Sequence, residues 1–178
     1  MVTIIVIIIA VLLIIIVQYN SMVSLKKKVE QSSSSIEVYL KQRFDLLPNL
    51  VETVKAYAKY EKETLEKIIE MRKQYMNNSS DLEEGARLNN ECDKVVFLAE
   101  KYPELKADAQ FLNLQKNLSK LESQLQAARR IYNSNVTIYN TKISVFPNNI
   151  LAGIFGFKTA NLFNINENEA KNINVNLT

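Results

Sequence analysis

Apolar and aromatic residues recur at every seventh position from Phe111 to Phe146: Phe111, Leu118, Leu125, Tyr132, Tyr139 and Phe146. A second row, Leu114, Leu121 and Ala128, interleaves with the first, so the steps alternate between three and four. With no Pro or Gly inside the stretch, the pattern predicts one helix of about ten turns. Such a helix holds only when other elements cover its apolar stripe, because an isolated helix is marginal in water. The rest of the chain is therefore expected to supply covering helices. Only 3 Gly and 3 Pro among 178 residues agree with long helices rather than a turn-rich β fold.

Composition narrows the chemistry. The chain has no His, which removes Ser-His and Cys-His triads, the common zinc sites and Glu-x-x-His di-iron motifs. Its single Cys, Cys92, excludes an internal disulfide and any multi-Cys metal site. Lys and Arg number 22 against 19 Asp and Glu, a balance that does not point to nucleic acid. The expectation is a non-enzymatic protein with no catalytic set, no metal and no cofactor.

Residues 2–17 are almost wholly Ile, Val and Leu. That run reaches about 24 Å as a helix, and continuing to Met22 brings it to the ~30 Å of a bilayer core, with Tyr19 at headgroup level. The alternative, a buried core helix, is disfavoured because the run is apolar on every side and sits at the extreme terminus. A cleaved signal peptide would carry a basic residue before the run and a small-x-small site after it, and neither is present. Residues 1–22 are thus expected to be an uncleaved transmembrane anchor. Lys26, Lys27 and Lys28 follow it, with Lys41 and Arg43 beyond, which predicts the N-terminus outside and the domain in the cytoplasm. The lysine run also reads simply as a solvated helix face.

A helical stripe continues through Met22, Leu25, Val29, Ile36, Leu40, Phe44 and Leu47, with a weak middle at Ser32–Ser35. Pro48 suits the first turn of a second helix, capped by Asp45, with Leu47, Val51, Val54, Ala58, Leu65 and Ile68 inward. Glu61 and Arg72 fall on that same face, either as a polar site with burial-tuned pKa values or as register-setting residues, and the second reading is favoured. Residues 77–81 (NNSSD) form a loop with Ser80 or Asp81 as a cap. A third helix then carries Leu82, Ala86, Cys92, Val96 and Ala99, with Cys92 as a small buried hydrophobe rather than a reactive thiol. Tyr102-Pro103-Glu104 closes it.

On the fourth helix Tyr132-Asn133 and Tyr139-Asn140 repeat seven residues apart, and Tyr19-Asn20 stands at the membrane end of the first. In an up-and-down bundle these pairs would meet. They would form either an aromatic-lined cleft for a small molecule or peptide, or cross-helix bonds that fix register, the latter being favoured. Residues 147–163 are apolar and carry Gly153 and Gly156. They are expected to pack on the bundle base or dip into the membrane interface, while the Asn-rich residues 164–178 read as a disordered tail. Gly156-Phe-Lys158-Thr159 only faintly echoes a phosphate loop, lacking the adjacent Gly-Lys, the strand and the helix.

Taken together, YNSMVSLKKKVEQ (19–31), KQRFDLLPNLVETVKAYAKYE (41–61), AEKYPELKADAQFLNLQ (99–115) and ARRIYNSNVTIYNTKISVFPNNILAGIFGF (128–157) resemble the LemA family of bacterial membrane-anchored helical proteins. The resemblance implies a single N-terminal span with the domain in the cytoplasm, an up-and-down four-helix bundle and no established enzymatic activity. It also implies a scaffold or adaptor role. Serines replace an aromatic within 32–35, and Tyr60 stands where the family often has His. The resulting expectation is an all-α chain: a transmembrane helix (1–22), an antiparallel up-and-down four-helix bundle (23–146), an apolar segment (147–163) and a tail (164–178). Its partners would be the lipid bilayer and other membrane proteins.

Overall fold

The structure, a computed structural model, describes residues 1–77, 81–98 and 101–163. The predicted tail at 164–178, Ser80 as a cap and Ala99 on the third helix lie outside those residues. Among the described residues all regular structure is helical: α1 (Val2–Asp45), α2 (Leu47–Tyr57), α3 (Lys62–Asn77), α4 (Leu82–Leu98), α5 (Pro103–Lys106), α6 (Ala109–Ser144) and α7 (Asn148–Phe155), with one 3-10 turn at Lys59–Glu61. Helix continues through Ser32–Ser35, where Ser32 is buried and Ser35 Oγ donates back to the Gln31 carbonyl at 3.1 Å. The chain divides into two compact units, Met1–Glu30 with Ile131–Thr178, and Gln31–Arg130.

In the first unit α1 opens as a bare apolar rod. Ile4, Ile7, Leu12 and Ile16 are each 52–62% exposed. This helix is long and apolar enough to cross a membrane. Further along, Met22 and Val29 are buried, as are Tyr132, Val136, Tyr139 and Ile143 of α6 and Ala152 of α7. The predicted heptad does not reach its last member, since α6 stops at Ser144 and Phe146 is 79% exposed. A straight α-helix drifts about 20° per heptad against a seven-residue repeat. The buried row accordingly moves onto Val136 and Ile143, and Pro147 forbids another turn. Helix α7 closes at Gly156, whose φ of 72° is left-handed, with the Phe157 amide bonding back to the Ala152 carbonyl at 2.9 Å. This is a Schellman end, which glycine adopts without a Cβ penalty.

In the second unit α2 packs against α3, α4 and α5, and α3 against α4. Ile36, Leu40, Phe44, Leu47, Leu50, Val54, Leu65, Ile68, Leu88, Cys92, Leu105, Phe111, Leu118 and Leu125 form its core. Leu114 and Leu121 lie half-buried at the margin of the stripe.

Three local expectations are corrected here. The second helix is not continuous to Arg72: α2 ends at Tyr57, and Ala58 (φ −108°, ψ 67°) leads into the 3-10 turn. No breaker residue marks this point. The Tyr57 hydroxyl instead donates to Asp108 Oδ2 at 3.1 Å, a tertiary contact beyond the reach of local periodicity. Asp45 does not cap α2, whose start has no side-chain cap, because its carboxylate is held by Arg72 at 3.3 Å. The inner face of α4 is Gly85, Leu88, Asn89, Cys92 and Val95, leaving Leu82, Ala86 and Val96 half-buried. Gly85 sets that rotation, since a Cβ there would lie 2.7 Å from Leu40 Cδ1 and 2.9 Å from Tyr75 Cε2. Asp81 does cap α4, accepting from the amides of Glu83 and Glu84 at 2.9 and 3.2 Å.

Candidate functional site

The two Tyr-Asn pairs of α6 face residues 158–163, the non-helical segment that follows Gly156. Asn140 donates Nδ2 to the Ala160 carbonyl at 2.9 Å and accepts the Ala160 amide on Oδ1 at 2.9 Å. One heptad earlier, Asn133 donates to the Phe163 carbonyl at 3.0 Å and accepts its amide at 2.8 Å. Each carboxamide thereby takes both backbone groups of a single residue, as a neighbouring strand would. The hydroxyl of Tyr139 donates to the Lys158 carbonyl at 2.8 Å, and that of Tyr132 to the Asn161 carbonyl at 3.0 Å.

The repeat follows from geometry. Seven helical residues rise about 10.5 Å, and three extended residues cover about 10 Å. One heptad of α6 thus matches three residues of an extended chain running antiparallel to it. Burial raises the pKa of both tyrosines, so both hydroxyls remain protonated donors at neutral pH.

The sequence predicted a different partner for these pairs. Tyr19 instead sets its ring edgewise against Phe155 and Phe157, with centroids 4.9 and 5.8 Å away, and Asn20 is exposed. The apolar segment 147–163 thus supplies α7, the aromatic contacts to Tyr19 and the extended segment along α6.

A second polar cluster lies in the other unit. Arg43 is 2% exposed and donates to Asn89 Oδ1 at 2.7 Å, to Asp93 and to Glu122. Glu122 is in turn approached by Arg129 at 3.8 Å and Gln126 at 3.3 Å. A cavity of about 200 Å³ beside the cluster is lined by Arg43, Asp93, Val96, Gln115, Leu118, Ser119 and Glu122. The charges there pair off, two cationic against two anionic, which suits a core ion network better than a site for a charged ligand. Cys92 lies buried beside it, and desolvation pushes its thiol up to about 12 despite the opposing pull of Arg43, so it stays a protonated thiol.

Sequence reasoning placed Arg43 among the juxtamembrane charges, and the structure corrects this. The signal was present in phase: Arg43 stands seven residues after Ile36, in the row that Leu40 and Leu47 continue. Here that register position is buried, and the charge on it is met by Asn89, Asp93 and Glu122.

Glu61 and Arg72 are not brought together. Glu61 sits half-exposed in the 3-10 turn. Arg72 reaches the end of α1, donating Nε to the Phe44 carbonyl at 2.7 Å and pairing with Asp45. Its guanidinium satisfies a C-terminal carbonyl and offsets a carboxylate placed unfavourably for the helix dipole. Among the described residues no ion pair joins Glu61 to Arg72.

Comparison with known proteins shows similarity in one direction. A family model described as the LemA family matches residues 32–177. Protein LemA of Metamycoplasma hominis is 28% identical over 154 residues, 84% of this chain and 70% of that protein. Magnetosome proteins MamQ 1 and MamQ 2 of Paramagnetospirillum magneticum are each 30% identical over 74 residues, 42% of this chain and 27% of their own length.

Proposed function

The chain belongs to the LemA family, and from that premise we propose that it is a non-enzymatic, membrane-anchored helical scaffold or adaptor. Residues 1–22 cross the bilayer once with the N-terminus outside. Residues 23–146 fold as an antiparallel up-and-down four-helix bundle at the cytoplasmic face, presented to other membrane proteins. The observation that carries this reading is the bare rod at the start of α1. Apart from half-buried Ile15, its Ile, Val and Leu side chains expose about half or more of their surface. Apolar surface in water costs roughly 25 cal/mol per Å², a cost a lipid environment removes. Exposed Lys26, Lys27 and Lys28 support the orientation, whereas buried Arg43 does not count toward it. An anchor raises the domain's effective concentration toward its membrane neighbours without any new contact.

The test is in-cell photocrosslinking from exposed positions Glu63 and Asn117, one on α3 and one on α6. Discrete adducts with integral membrane proteins are expected. Their absence from both positions at every crosslinker length would remove the scaffold reading.

A second reading, a binding site on the Tyr132, Asn133, Tyr139 and Asn140 face, is favoured by the ladder to residues 158–163. That geometry suits a peptide rather than a small molecule, because its paired groups repeat at the period of an extended chain.

A further inference from the structure

The four α6 side chains grip residues 158–163 entirely through backbone groups. Two carboxamides each read one residue's N–H and C=O, and two phenols each read one carbonyl. None of these six bonds depends on which side chains the gripped segment carries. Side chains matter at two places only: Ala160 is half-buried and Phe163 is 8% exposed, whereas Lys158, Thr159, Asn161 and Leu162 are exposed. The segment joins α7 through exposed Gly156, where an added Cβ would meet no heavy atom within 4 Å, while Tyr19 packs edgewise on Phe155 and Phe157 to either side of it.

We propose that this ladder is a docking site for an extended peptide of another polypeptide, one carrying a small residue followed three positions later by a large apolar one. Residues 158–163 are its resident competitor. The proposal rests on the peptide-binding reading above and adds a recognition rule to it. Exchange requires no new kind of bond, because an incoming N–H and C=O take over the carboxamide that the departing pair leaves. Antiparallel polarity, a three-residue step and the small-x-x-apolar spacing are what the site reads.

The test uses the full chain in detergent micelles with Ala160→Pro and Phe163→Pro together. These substitutions remove both amide donors from the resident segment and leave α6 untouched. The probe is a labelled octapeptide, Gly-Phe-Lys-Thr-Ala-Asn-Leu-Phe. It is expected to bind this variant roughly tenfold or more tightly than wild type, because the tethered competitor acts at high effective concentration. N-methylation of the peptide's Ala and final Phe nitrogens is expected to abolish binding, whereas exchanging its Thr, Asn and Leu for Ser leaves binding unchanged.

Failure of the unmodified octapeptide to bind the released variant overturns both the proposal and the peptide reading. Binding that survives N-methylation overturns the backbone rule alone. Should the double variant not fold, wild type decides. Excess octapeptide must speed hydrogen exchange at the Ala160 and Phe163 amides, and its N-methylated form must not; equal effects from the two overturn the proposal.

Discussion

Gly85 is the position where one methyl group is expected to be felt most. A Cβ would press on Leu40 and on Tyr75, whose ring is already fixed edgewise against Phe44 at 4.9 Å. Replacing Gly by Ala in a helix gains up to about 1 kcal/mol of propensity, while overpacking a closed core costs about 1–3 kcal/mol. Overpacking wins because Leu40 and Tyr75 are both buried and have no open side to yield toward. Gly85→Ala should therefore lower stability by roughly 1–2 kcal/mol, read as a shifted urea midpoint with an unchanged m-value. A rise in stability would mean that α4 does not present this face. The sequence row through Leu82, Ala86 and Val96 suggested a different face, since a helix with apolar residues on several sides has no unique inner side by pattern. What chooses among them is which position tolerates the closest neighbour.

The start of α6 depends on Asp108. Its carboxylate accepts the Phe111 amide at 2.9 Å and the Tyr57 hydroxyl at 3.1 Å. The bond from the Phe111 amide, first, and that from Tyr57 hold its pKa below the usual 3.8. A carboxylate with a depressed folded-state pKa contributes stability above its unfolded value, and that contribution is lost as pH falls through the folded value. Asp108→Ala should lower Tm at neutral pH, and the gap to wild type should close as pH drops below the ordinary carboxylate range. A gap that persists unchanged in acid would mean the effect is packing rather than capping. Helix existence and type were legible for α1, α4 and α6, because their apolar rows run long enough to outvote local ambiguity. The break between α2 and α3 was not, since Tyr57 through Glu61 carries no Gly or Pro. Nor was Phe146 readable as an outlier, because a seven-residue count cannot register the slow drift of a straight helix.

For the molecule as a whole, the orientation of the proposed anchor is the prediction that matters most. With Cys92→Ser to remove the native thiol and Lys67→Cys to place one on exposed α3, a membrane-impermeant maleimide should label only lysed cells. Labelling of intact cells would reverse the proposed topology. The long apolar helix at the start of α1, the helical class and the family were readable in the residues alone, because run length, heptad spacing and local sequence blocks depend only on order along the chain. The Tyr-Asn repeat was likewise visible as a pattern, but its partner was not. Nothing in residues 158–163 marks them as extended or aims them at α6, and the match appears only when about 10 Å of helix lies beside about 10 Å of extended chain. The same holds for Arg43, whose register betrays burial but whose partners Asn89, Asp93 and Glu122 lie 46–79 residues away along the chain. Periodicity states which side of an element seeks cover; only folding in three dimensions states what covers it, because contacts between distant residues obey distance in space rather than separation in sequence.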